Sequence, residues 1–175
     1  MNLRSLKFND EMLRVVIDGS KTQTRRPIEG YPVFELADNG MWRVHGPSPR
    51  QQDVLDENDN VIDVIPEGTF EKMLILPKYI DRYCPYTKGE TFINACDKDG
   101  NPVLTLAVNV RVERLNDISN DDAKAEGYPA EREADGGSCD PWLWFRDLWD
   151  GIYPEQAFKD NPWVWVIEFR RVEAR

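Results

Sequence analysis

A single histidine and three cysteines among 175 residues leave this chain poorly supplied with metal ligands. Cys84, Cys96 and Cys139 are an odd number at long, irregular spacing, and with His45 they form neither a zinc pattern nor a disulfide framework. No apolar run approaches the ~20 residues needed to cross a bilayer, and the N-terminus lacks the apolar region of a signal peptide. Repeats and heptads are lacking too. The expectation is a cytoplasmic protein with no structural metal, no cofactor and no membrane partner.

Hydrophobic content of 41% with 11% aromatics is enough for a core, and the length fits one domain, or one domain carrying a large insertion. The formal net charge is -10, but it is unevenly spread. Residues 1–28 hold six basic groups against three acidic ones. Residues 29–82 hold five against eleven, and residues 83–175 eleven against eighteen. An acidic body disfavours tight non-specific binding to long nucleic acid, where affinity comes largely from neutralised phosphates. It still permits a local basic cleft for a nucleoside or a short single strand of RNA.

The basic groups near the N-terminus cluster in Gly19-Ser20-Lys21-Thr22-Gln23-Thr24-Arg25-Arg26, closed by Pro27. Asn9 before Asp10 and Glu11 marks a helix start, and Met12, Leu13, Val16 and Ile17 share one face of it. Gly19 stands where a glycine ends a helix, so Lys21 to Arg26 emerge into an extended segment. With a period of two, Thr22, Thr24 and Arg26 point one way and Lys21, Gln23 and Arg25 the other. Lys21 and Thr24 share a site only if the chain turns directly after Gly19.

Residues 29–82 are irregular, with Pro32, Pro47, Pro49, Pro66 and Pro77 interrupting short apolar runs. Asn39-Gly40 signals a hairpin between Val33–Ala37 and Met41–Val44, and Gly46–Asn60 reads as exposed loop. From Tyr83 the pattern sharpens: a strand around 92–96, an Asp99-Gly100 turn, and a return strand over 103–112. There Leu104, Leu106, Val108, Val110 and Val112 form the buried face. Ser119 caps a short helix stopped by Gly127, which leaves Glu126 in the last turn, where a carboxylate opposes the helix dipole. Glu126 is therefore either a tolerated surface acid or one placed for chemistry. Asp140 and Pro141 begin a tryptophan-rich helix, Trp142 to Asp150, ended by Gly151, with Trp142, Trp144 and Trp149 serving core or lid packing, and a closing strand from Trp163 follows. The order of elements indicates an α+β fold around a mostly antiparallel, barrel-like sheet.

The spacing of Gly19, Lys21, Thr24 and Arg26 resembles the signature of the ASCH domain family, a branch of the PUA-like folds. The resemblance extends to Gly89-Glu90, Ile118–Gly127, Gly151-Ile152-Tyr153-Pro154 and Trp163–Phe169, and its layout is most similar to phage and prophage members. It covers both ends of the chain and skips most of 29–82. It implies one ASCH domain, a mostly antiparallel barrel with a few flanking helices and an irregular insertion at about 29–82, in a host cytoplasm if phage-encoded. Many members carry glutamate where Thr24 stands. A bacterial subgroup with threonine there deacetylates N4-acetylcytidine using a lysine, a threonine and a glutamate, which fall on Lys21, Thr24 and Glu126.

On that resemblance Lys21 is a base and proton shuttle, and Thr24 the nucleophile or the group orienting water. Glu126 orients Lys21 or binds the cytosine exocyclic group. Threonine needs such a base, and lysine serves as one only when burial or nearby cations lower its pKa. Arg25, Arg26 and Thr22 are the candidate substrate-binding residues, Arg26 being either an anion or carbonyl contact or a structural salt bridge. Two other readings stay open from the residues. One is an RNA-binding or modified-base-reading module, with possible ribonuclease activity, whose Lys21, Arg25 and Arg26 meet phosphate. The other is an acidic phage protein that binds a host protein through residues 29–82.

Overall fold

The computed structural model describes residues 4–30, 33–47 and 51–173; Leu3, Pro32 and Pro49 lie outside them. The chain divides into two units, one of residues 1–27 with 88–175, the other of residues 28–87. Among the described residues no helix is long and apolar enough to cross a membrane.

The first unit is α+β, built on a curled, half-barrel sheet. Its strands are β1 (Arg4–Ser5), β2 (Gln23–Pro27), then β8 (Thr91–Cys96), β9 (Pro102–Arg114) and β10 (Trp163–Val172), β3–β7 belonging to the second unit. They run in the order β1-β8-β9-β10-β2, and every pairing is antiparallel except β1 with β8. β10 lies between β9 and β2, which explains why Val164, Trp165, Val166 and Ile167 are all buried. A central strand covered on both faces needs a continuous apolar run.

The even alternation expected along β9 is broken. Val103, Thr105 and Ala107 are buried, whereas Val108 is exposed. Opposite it, Glu168 pairs with Asn109 but Phe169 pairs with Ala107, so Val108 is the extra residue of a bulge. One inserted residue moves the side chains beyond it to the other face. A second bulge at Asn94 sends that side chain to the Leu6 carbonyl at 2.9 Å.

Among the described residues three α-helices accompany the sheet: α1 (Asp10–Ile17), α2 (Asn120–Ala125) and α3 (Asp140–Ile152). Asn9 caps α1 through the Met12 amide at 2.8 Å, and Ser119 caps α2 through the Asp122 amide at 3.0 Å, both as the sequence indicates. α3 begins at Asp140, as the sequence indicates, and runs past the expected stop at Gly151 to Ile152. Its buried face, Trp144, Phe145 and Trp149, packs with Met12, Leu115, Phe158, Val164 and Val166 to form the core.

In the second unit, β3 (Val33–Leu36), β4 (Trp42–Pro47) and β7 (Phe70–Ile75) form an antiparallel sheet, with Gly40 at φ 76° in the Asn39-Gly40 hairpin. Part of the expected 46–60 loop is instead a second hairpin, β5 (Gln52–Leu55) with β6 (Val61–Ile65). Its turn lacks glycine: Asp56 Oδ1 accepts from the amides of Asn58 and Asn60, and Asp59 adopts φ 63°. Such an Asx-type turn is less visible in a sequence than Asn-Gly.

Candidate functional site

The chain does turn after Gly19. That glycine has φ 88°, and the Lys21 amide folds back onto the Val15 carbonyl of α1 at 2.8 Å. β2 starts only at Gln23, so strand alternation never applies to Lys21. Thr22 joins two elements by its backbone, donating to the Ala125 carbonyl and accepting from the Phe169 amide, each at 2.8 Å. The Lys21 end of the segment is thereby held against the end of α2.

That end carries Glu126. Lys21 Nζ donates to Glu126 Oε2 at 2.7 Å and to the Glu126 carbonyl at 2.7 Å, closing a contact across 105 residues. Both side chains are 3% exposed. The approach depends on Gly127, which has φ 101° and lies so near α1 that a Cβ would come within 2.8 Å of Val15 Cγ2. No side chain other than glycine's hydrogen suits both the dihedral and the space. Glu126 is thus no surface acid: its second oxygen accepts from Arg25 Nη1 at 3.1 Å.

Arg25 is fully buried and bound on several sides. Nη1 also donates to Gln23 Oε1 at 2.5 Å, while Nη2 donates to Glu113 Oε2 at 2.9 Å and Asp122 Oδ2 at 3.2 Å. Gln23 donates in turn to Asp122 Oδ1 at 3.1 Å. Arg111 continues the network through Glu113, Asp122 and Glu168. Partial burial pushes the Asp122 pKa up, but the Gln23 amide and the Arg25 and Arg111 guanidiniums outweigh it and hold the carboxyl below its usual range. Arg25 is therefore a structural hub, with three carboxylates around one guanidinium.

Lys21, Thr24, Arg25, Arg26 and Glu126 line one cavity of about 100 Å³, which Phe8, Met12, Phe145, Leu148 and Trp149 wall with apolar surface. Thr22 is exposed and is not part of that lining. Thr24 is 4% exposed, and among the described residues its hydroxyl has no hydrogen-bond partner. Arg26 donates through Nη1 to the Tyr153 hydroxyl at 3.1 Å and through Nη2 to the Lys7 carbonyl, with its guanidinium 5.2 Å from the centre of the Phe8 ring. Burial drives the Lys21 pKa down. Glu126 pulls it back up, Arg26 and Arg25 press it down again, and the net direction is below the ordinary lysine range.

Gln23, Glu113 and Asp122, which fix Arg25, and Tyr153, which fixes Arg26, carry no sequence signal that marks them for this place. Phe8 had one, as the apolar residue just ahead of the Asn9 cap. Among the described residues no group of three or more His, Cys, Asp or Glu side chains is placed to hold a metal ion.

The Thr24 hydroxyl, Lys21 with its lowered pKa and the Glu126 carboxylate that binds it thus line one cavity of an α+β unit. No family model matches the sequence, and no curated protein matches it. Solved structures similar to it include two bacterial proteins. Protein EF3133 from Enterococcus faecalis V583, of the family model DUF984, has a TM-score of 0.47 and 12% identity, over 98% of this chain and 82% of that one. An ASCH domain from Lactobacillus crispatus JV V101 has a TM-score of 0.43 and 13% identity, over 97% of this chain and 79% of the other.

Proposed function

We propose that this protein is an ASCH-like amidohydrolase that removes the acyl group from an N4-acylated cytosine nucleoside or nucleotide of the N4-acetylcytidine type. Lys21 and Thr24 are its catalytic residues, and Glu126, the third member of the site, positions Lys21. The observation that carries the reading is the buried 2.7 Å contact of Lys21 Nζ with Glu126 Oε2 on the wall of a cavity that also includes the unpartnered Thr24 hydroxyl. In its neutral form Lys21 takes the proton from the Thr24 hydroxyl, or from a water that Thr24 orients, as the new C–O bond forms at the acyl carbon. The same proton passes to N4 as the C–N bond breaks. One water is consumed, either as the attacking group that Thr24 orients or by hydrolysing the acyl ester left on Thr24, and the products are the free cytosine amine and a carboxylic acid. Glu126 holds Lys21 in place and, with both oxygens engaged, acts by positioning.

The nucleic-acid reading asks Lys21, Arg25 and Arg26 to meet phosphate, yet the first two are buried and already bonded to carboxylates. The test is incubation with N4-acetylcytidine and its 5′-monophosphate, followed by chromatography for the deacetylated base. Turnover abolished in both Lys21→Met and Thr24→Val supports the hydrolase. A folded wild-type protein that turns over no N4-acylated cytosine compound sinks it.

A further inference from the structure

Arg26 differs from the two buried cations of the cavity, Lys21 and Arg25, in having no counter-charge among the described residues. Lys21 is matched by Glu126, and Arg25 by Glu113, Asp122 and Glu126. The partners of Arg26 are a hydroxyl, a carbonyl and an aromatic ring, all neutral, and its Nε–H is buried with no acceptor. Lys7, exposed on the same lining, likewise has no ion pair among the described residues. Among the described residues Glu126 is the one carboxylate lining the cavity, and both its oxygens are occupied. A chain of net charge -10 has thus left two positive charges uncompensated beside one pocket. A partly buried cation without a counter-ion is costly, and a bound anion relieves that cost.

Resting on the hydrolase reading, we propose that the substrate is a nucleotide, its phosphomonoester bound by Arg26 and Lys7 while the acylated base enters toward Lys21 and Thr24. Two unmatched cations fit the charge of a phosphomonoester, about -1.5 to -2 at neutral pH, better than the single charge of a phosphodiester within RNA. Arginine offers a planar fork of donors for phosphate oxygens. The apolar wall of Phe8, Phe145 and Trp149 receives the base.

Initial rates with N4-acetylcytidine, its 5′-monophosphate and a dinucleotide containing N4-acetylcytidine test this. The expected result is a kcat/KM for the monophosphate greater by roughly tenfold or more, the size of one lost charge-assisted contact. That preference should shrink toward unity in Arg26→Gln and weaken in Lys7→Ala, an exposed substitution that does not threaten folding. Equal kcat/KM for nucleoside and monophosphate overturns the proposal while leaving the hydrolase reading standing, and a dinucleotide preferred over the monophosphate also overturns it. Calorimetric binding of cytidine 5′-monophosphate against cytidine separates the two ideas where no turnover is found. Tighter binding of the monophosphate, lost in Lys7→Ala and Arg26→Gln, retains the phosphate site without the hydrolase; equal binding removes it.

Discussion

Replacing Glu126 by glutamine keeps the shape of the side chain and removes the charge that faces both Lys21 and Arg25. Breaking a buried ion pair by deleting one partner costs about 3–5 kcal/mol, because the other charge stays buried. Lys21 has an escape, which is to release its proton. From an ordinary lysine value near 10.4, that costs at most about 4.6 kcal/mol at pH 7, or about 1.4 kcal/mol per pH unit. The two costs are similar, so the penalty depends on pH. The Lys21 pKa is already lowered in the folded protein, and losing Glu126, which pulls it up, lowers it further. Between the folded and unfolded values the unfolded chain binds more protons, so stability rises with pH. The variant enters that rise at a lower pH than the wild type. Urea unfolding of both proteins from pH 6 to 9 should therefore show a gap of about 3–5 kcal/mol at the acid end. The gap should narrow with pH by up to about 1.4 kcal/mol per unit. Carbon-13 shifts of the Lys21 ε-carbon should report the lowered pKa directly. A gap below about 1 kcal/mol, or one independent of pH while Lys21 titrates as an ordinary lysine, would refute the buried pair.

Thr24→Val should change stability by less than about 1 kcal/mol, since the hydroxyl it removes has no partner, while deacetylation falls by about a hundredfold or more. Urea melts and initial rates on the same preparation check both halves. Gly127→Ala should cost about 1–3 kcal/mol in a chemical melt, from the strained dihedral and the 2.8 Å approach to Val15. A wild-type-like melt would mean that the Gly127 turn is not as drawn. Asp122, with its pKa held down, contributes stability that is present above its unfolded value near 3.9 and is lost as pH falls through the lower folded value. Acid titration of unfolding from pH 5 to 2 should therefore be shallower for Asp122→Asn than for wild type.

The caps at Asn9 and Ser119 and the Asn39-Gly40 and Asp99-Gly100 turns were legible because each rests on interactions within a few residues. So was the anomaly of Glu126, a carboxylate at the wrong end of a helix. The β5–β6 hairpin was hidden because its turn is stabilised by Asp56 side-chain contacts and not by glycine. Alternation along β9 misled because the residue that breaks it, Val108, is set by the partner strand. At the site, alternation placed Lys21 opposite Thr24, and the Lys21 amide bond to Val15 is what annuls it. Arg25 looked like a ligand contact, but its three carboxylates come from positions 88 to 101 residues away. No local pattern announces so distant a set of partners.

The order β9-β10-β2 has a consequence for how the protein is made. Among the described residues β2, which carries Thr24, Arg25 and Arg26, pairs with no strand but β10, where Arg25 lies opposite Val166, about 140 positions later. On a ribosome the N-terminal segment must wait, its strand edge unpaired, until the last sheet strand has left the exit tunnel. Pairing across so long a separation is slow, and an unpaired strand meanwhile invites aggregation. Nascent chains that end between Gly127 and Trp163 contain Lys21, Thr24 and Glu126, yet lack the strand against which β2 is laid down. A nonsense codon there removes none of these residues and still abolishes the site.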